Sequence, residues 1–178
     1  MAIHVVLYQP EIPQNTGNIM RTCAATDTTL HLIEPLGFKL DPKSIKRSAV
    51  DYLEHVRYEI HPDWNAFYTG RNGRFVFMTR YGATSPDKID LSATAEDLYL
   101  VFGRESTGIP KAILRSHLET CVRLPMTDKV RSLNLANTVC VLVYEALRQQ
   151  GYPGLFLHEP ENFKGAAWLL ENDDVESK

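Results

Sequence analysis

Short, nearly continuous apolar runs recur along the chain at Ile3 to Tyr8, Leu30 to Ile33, Val56 to Ile60, Arg74 to Thr79, Leu98 to Phe102 and Thr120 to Leu124. Most are rich in β-branched and aromatic residues and lack strict alternation, the pattern of strands covered on both faces. Between them lie segments of helical period or with helix signals: Asn18 to Thr26, Pro42 to Leu53, Pro62 to Tyr68 and Pro110 to His117. Pro110 suits a first helical turn. Strand and helix alternate, which predicts an α/β fold with a mostly parallel sheet flanked by helices.

The strongest helical signal runs from Leu133 to Gln150, stopped by Gly151 and Pro153, with Leu135, Val139, Leu142, Val143, Ala146 and Leu147 on one stripe. Cys140, Val141 and Tyr144 make the opposite side apolar as well. A helix apolar all round needs cover on both sides. Either a second copy of the chain packs there, giving a homodimer through this helix, or the helix is central to the core.

The chain divides into one domain over 1–154 and an acidic extension over 155–178, with no internal repeat or interdomain linker. Phe156, Phe163, Trp168, Leu169 and Leu170 in the extension read as a short docked helix ahead of an acidic end. At 178 residues, 44% hydrophobic and 23% charged, the composition is that of a globular protein. No run of about 18 apolar residues is present to span a bilayer, and no leader pattern opens the chain, so a cytoplasmic location is expected. The net charge of −3 resides in the extension, since His158 to Lys178 carries a net −4 and the remainder is +1. Scattered bases on the body, among them Lys43, Lys46, Arg47, Arg71, Arg80 and Arg104, permit an RNA partner without arguing for one.

Cys23, Cys121 and Cys140 have no paired spacing and read as small buried apolar residues. The six histidines form no ligand pattern, and no metal is expected.

Three polar segments stand out. Pro13-Gln14-Asn15-Thr16-Gly17-Asn18 reads as a loop after the first strand leading into a helix that bears Arg21. It is either an anion-accepting helix start or an ordinary capped turn. Gly103-Arg104-Glu105-Ser106-Thr107-Gly108-Ile109-Pro110 has the glycine separation of a P-loop but lacks the lysine and hydroxyl residue that must follow, which excludes that class of ATPase. What is left is a tight turn carrying a carboxylate, Glu105, at the edge of a parallel sheet, where ligands of open α/β folds sit. Leu124-Pro125-Met126 is followed by Arg131 and Ser132-Leu133-Asn134-Leu135-Ala136-Asn137. Ser132 or Asn134 is a good N-cap, and the surplus of polar groups there suggests a ligand.

Taken in order, Asn-Thr-Gly-Asn with Arg21, Phe-Gly-x-Glu-x-x-Gly, and Leu-Pro-Met with Ser-Leu-Asn-Leu-Ala-Asn resemble the three signature motifs of the SPOUT methyltransferases. The opening Tyr8-Gln9-Pro10-Glu11-Ile12-Pro13 and the closing Gly151-Tyr152-Pro153-Gly154 resemble the small bacterial tRNA wobble-nucleotide ribose methyltransferases within them. The resemblance implies a C-terminal trefoil knot, a departure from the usual unknotted topology. It implies S-adenosyl-L-methionine as cofactor, bound by Met78, Gly103, Leu124, Ser132 and Leu133. It also implies transfer of a methyl group to the 2′-oxygen of the wobble pyrimidine in the tRNA anticodon loop, with Arg21, Glu105, Ser132 and Asn134 as catalytic residues and no metal.

A guanidinium, with a pKa above about 12, is a poor base. Arg21 is therefore expected to stabilise the developing alkoxide, its orientation fixed by Glu105 or Asn134. Two other functions use the same motifs: ribose methylation of ribosomal RNA, and a knotted SAM-binding or RNA-binding protein without activity. Because no separate RNA-binding extension precedes the first strand, the catalytic body is expected to grip RNA across both subunits.

Overall fold

The computed structural model describes residues 2–40, 54–92 and 95–170. Among them, β1 (Ile3–Tyr8), β2 (Thr29–Ile33), β3 (Tyr58–His61), β4 (Arg74–Met78), β5 (Leu98–Phe102) and β6 (Cys121–Val122) form one sheet in the order β3-β2-β1-β5-β4-β6. Every pairing in it is parallel. The helices are α1 (Pro13–Ala25), α2 (Trp64–Tyr68), α3 (Lys111–Arg115) and α4 (Leu135–Gln150).

Continuous apolar strands arise because both faces are covered. Ile3, Val5 and Leu7 of β1 point into a core shared with Ile19, Met20 and Cys23 of α1 and Val139, Leu142, Val143 and Ala146 of α4. Val6 points the other way, into a cluster with Phe67 of α2 and Leu114 of α3. β3 departs from the doubly covered expectation: it is an edge strand, and Tyr58 and Ile60 are exposed. It also starts later than Val56, and β6 is only two residues long.

Pro13 to Asn18 is no loop but the opening of α1, because Pro13 occupies a first-turn position whose missing N–H is no loss. Pro110 stands just before α3 as its N-cap, and α2 begins at Trp64, where the Asp63 side chain accepts from the Ala66 amide at 2.8 Å. The expected helix over Pro42 to Leu53, and Lys43, Lys46 and Arg47 with it, lie outside the described residues.

α4 begins at Leu135, two residues later than predicted, since Asn134 and not Ser132 is its cap: Asn134 Oδ1 accepts from the Ala136 amide at 2.9 Å and the Asn137 amide at 3.4 Å. Gly151 ends it in the left-handed region, φ 74°, with the Tyr152 amide returning to the Leu147 carbonyl at 2.9 Å. Its inner stripe is buried except for half-buried Leu135, whereas Val141 and Tyr144 face solvent and Cys140 is half-buried rather than buried.

The described part of the extension, residues 155–170, does not dock as expected. Phe156, Leu157, Phe163 and Leu170 are more than 70% exposed, and among the described residues there the regular structure is one short turn, Trp168–Leu170. Among the described residues, no helix is long and apolar enough to cross a membrane.

Candidate functional site

The strand order reverses between β1 and β5, the two central neighbours from which the chain winds outward in opposite directions. The segments leaving the C-terminal ends of such strands diverge, and the crevice between them is where open α/β folds hold ligands. Here that crevice is a cleft of about 720 Å³. Its walls come from four places: Ile12 and Asn15 at the start of α1, Met78 to Tyr81 after β4, Phe102 to Ile109 after β5, and Arg123, Leu124, Met126 and Arg131 to Leu135 before and into α4. The three polar segments singled out in the sequence therefore meet at one place.

The join is a chain of hydrogen bonds. After β1 the chain turns at Gln9, which takes the left-handed region at φ 50°, and delivers Glu11 and Ile12 to the Gly103–Gly108 turn. Glu105 accepts from the Glu11 amide at 2.8 Å, the Ile12 amide at 3.3 Å and Asn15 Nδ2 at 2.9 Å. α1 has no acidic residue in its own first turn and no side-chain cap. The carboxylate that complements its N-terminal dipole thus comes from the loop after β5. Asn15 Oδ1 in turn accepts from Asn134 Nδ2 at 2.9 Å, and Asn134 Oδ1 caps α4. One network of side chains thus fixes the starts of both helices against the turn.

Glu11 returns the contact: the Ser106 amide and hydroxyl donate to its carboxylate at 2.9 and 2.8 Å, and these two bonds hold its carboxyl below the usual carboxylate range. Gly103 is required by close approach. A Cβ there would stand 2.1 Å from the Gly108 carbonyl carbon and 2.2 Å from the Ile109 nitrogen, so the turn closes on itself only without a side chain.

All five residues expected to bind the cofactor, Met78, Gly103, Leu124, Ser132 and Leu133, line this cleft, as do Glu105 and Asn134. Their character fits a flat base with a polar tail: apolar walls from Met78, Leu124 and Leu133, and close backbone access at Gly103. Arg21 is placed differently. It lies on the exposed stripe of α1 with Gln14, Asn18 and Ala25 and is not part of the cleft lining of its own chain. The sequence alone assigns no role to Glu11, Ser106, Tyr81 or Arg123. Asn15 belongs to the Asn-Thr-Gly-Asn motif, but only the fold shows that it bridges Glu105 and Asn134.

Away from the cleft, β1, β2 and β3 carry a row of imidazoles that sequence spacing does not reveal. His4 Nδ1 lies 2.9 Å from His31 Nε2, and His31 Nδ1 lies 3.0 Å from His61 Nε2. Glu59 Oε2 stands 3.6 Å from both His31 Nδ1 and His61 Nε2, a set of metal-ligand type, although Arg71 Nη2 shares that oxygen at 3.3 Å. Burial pushes all three imidazoles below their ordinary range, His31 to about 3.

Residues 2–144 match the model of the SpoU rRNA Methylase family. The tRNA (cytidine(34)-2'-O)-methyltransferase of Escherichia coli (strain K12) is 43% identical over 159 residues, 88% of this chain and 99% of that one. A Bacillus subtilis (strain 168) protein that bears the same name as a provisional assignment is 53% identical over 156 residues, 87% of this chain and 98% of that one. A solved structure described as "Structural insights into the 2-OH methylation of C/U34 on tRNA" superposes with a TM-score of 0.77 at 43% identity, covering 84% of this chain and 97% of that one. The SpoU methyltransferase AviRb from Streptomyces viridochromogenes in complex with the cofactor AdoMet gives 0.71 at 25% identity, with 84% and 58% covered.

Proposed function

This chain belongs to the SpoU rRNA Methylase family, and on that premise we propose that it transfers a methyl group from S-adenosyl-L-methionine to the ribose 2′-oxygen of the wobble pyrimidine of tRNA, as a cytoplasmic homodimer. The observation that carries the reading is the Glu105–Asn15–Asn134 chain, which draws the three motif segments together around one cleft at the switch point of the sheet. In this reading residues 1–154 are the methyltransferase domain, threaded as the trefoil knot that the family resemblance implies, and 155–178 is an appendage.

When bound, the cofactor supplies an electrophilic methyl group on a sulfonium sulfur, so neither a metal nor a covalent intermediate is needed. The protein's task is to align the ribose hydroxyl with that methyl group and to stabilise the negative charge that grows on the oxygen. Met78, Leu124 and Leu133 line the cleft where they would wall the base, and the main chain around Gly103 and Ser132 would meet its polar edges. Glu105 and Asn134 act through position: they fix α1, the helix that bears Arg21.

The placement of Arg21 outside its own cleft bears on the dimer. α1 and α4 pack side by side over one core, and Gln14, Asn18, Arg21 and Ala25 of α1, like Asn137, Val141, Tyr144 and Arg148 of α4, are exposed away from it. An interface through Val141 and Tyr144 covers the second apolar side of α4 and sets Arg21 between subunits, so each cleft receives this guanidinium from the other chain.

Incubation of the purified protein with labelled cofactor and unmodified tRNA, then nuclease digestion, tests the reading. The expected product is a 2′-O-methylated pyrimidine from the wobble position. Transfer to ribosomal RNA alone would replace the substrate, and transfer to neither would overturn the reading.

A further inference from the structure

Two aromatic residues line the cleft, Phe102 and Tyr81, and they differ in exposure: Phe102 is 1% exposed and Tyr81 is 68% exposed. Phe102 belongs to the core, whereas a tyrosine ring left in water at a cleft mouth has no packing reason to be there. Among the described residues, the other aromatics more than 60% exposed, Phe156 and Phe163, lie in the extension and are not part of the lining.

Tyr81 is held on a stiff turn. The Thr79 amide donates to the Val122 carbonyl at 2.9 Å, the Gly82 amide to the Thr79 carbonyl at 3.3 Å, and Arg123 Nη1 to the Arg80 carbonyl at 2.8 Å. A Cβ at Gly82 would stand 2.4 Å from the Val122 carbonyl carbon, so the turn lies directly on β6. The Arg80 guanidinium carbon sits 4.8 Å from the centroid of the Tyr81 ring, and its Nη2 donates to the Tyr81 hydroxyl. With Arg80 on one side, the exposure of the ring belongs to its other side.

The charge of the cleft lining has one dominant sign. Arg80, Arg104, Arg123 and Arg131 all line the cleft, and Glu105, whose oxygens are taken by amide donors, is the acid among the described lining residues. An exposed aromatic face on a fixed turn, backed by a guanidinium and set in a cleft whose lining carries three more arginines, matches an unpaired nucleobase with its phosphates.

We propose that Tyr81 is a stacking subsite for an unpaired RNA base next to the nucleotide that is methylated, with Arg80 fixing the ring from behind and Arg123 beside the adjoining phosphate. The inference rests on the functional reading above and adds a substrate contact to it. Stacking is tolerant of base identity, so the subsite grips a single-stranded loop without itself choosing the sequence.

The experiment compares the full-length protein with Tyr81→Ala and Tyr81→Phe. It measures the KM for an unmodified tRNA transcript, the Kd for S-adenosyl-L-methionine, and the fluorescence of an anticodon-loop RNA carrying 2-aminopurine next to the target. Tyr81→Ala should raise the KM by about 5- to 150-fold, the cost of one lost aromatic stack, with cofactor Kd unchanged and the quenching of 2-aminopurine lost. Tyr81→Phe, which keeps the ring, should behave as the parent protein. An unchanged KM in Tyr81→Ala, a Tyr81→Phe variant as impaired as Tyr81→Ala, or a cofactor affinity that falls in parallel would each overturn the proposal. If the parent protein transfers no methyl group to tRNA, the functional reading fails, and quenching by the parent but not by Tyr81→Ala still decides whether the ring binds a base. The exposed position makes the alanine variant a mild one for folding, which its thermal melt checks.

Discussion

Asn15 and Asn134 lie 119 residues apart in sequence and meet through a 2.9 Å hydrogen bond from Nδ2 of Asn134 to Oδ1 of Asn15. The same Asn134 caps α4 with its oxygen, so one side chain serves helix stability with one atom and the site with the other.

Substitution separates the two roles. Asn134→Asp keeps the capping oxygen and adds charge favourable to the helix dipole, but has no donor for Asn15. It should melt within about 1 kcal/mol of the parent while turnover falls. Asn134→Ala should lose turnover and, in addition, about 1 kcal/mol of stability by chemical denaturation. Full turnover in Asn134→Asp would show that the bond to Asn15 has no part in catalysis.

Gly103→Ala places a methyl group against backbone that has no room to rotate away. The turn must open, at a cost of about 1 to 3 kcal/mol. Because the same turn lines the cleft, cofactor affinity by calorimetry should fall at least tenfold while the rest of the fold persists by circular dichroism.

Arg21→Ala should leave cofactor affinity within a few fold and lower turnover by at least about 2 kcal/mol, or ~30-fold, the scale of one lost transition-state contact. Co-expression of Arg21→Ala with Gly103→Ala chains tests whether the guanidinium crosses between subunits. Mixed dimers that regain activity absent from either variant alone would place it in the opposite cleft. No recovery would return Arg21 to its own chain.

The imidazole row predicts an acid-labile fold. His31, His4 and His61 have folded pKa values below the ordinary 6.5, chiefly through burial, so below pH 6.5 the unfolded chain binds more protons than the folded one. Stability should be level above that pH and fall as pH drops from 6.5 toward the folded value of His31, about 3, by at most about 1.4 kcal/mol per pH unit for each proton excluded. His31→Leu should flatten this acid limb in melts recorded from pH 7 to pH 4. An unchanged slope would assign acid lability to other groups.

Much of this was legible in the chain. β1 and β5 fall where the apolar runs fall, and the stripe of α4 is buried as its period predicts, because local hydrophobic pattern reports directly which face meets a core. The motif residues were legible too, as polar groups in excess of what turns and caps need. The sequence did not reveal that Pro13 to Asn18 is already helix, since the carboxylate that meets the amides of Glu11 and Ile12 at its start is that of Glu105, 94 and 93 residues away. Nor did it reveal the histidine row, because residues on neighbouring parallel strands become adjacent only when sheet order and register are set. Local periodicity determined the elements. The order of the strands, decided by packing across long crossovers, determined that Glu105, Asn15 and Asn134 share one cleft and that Arg21 lies outside it.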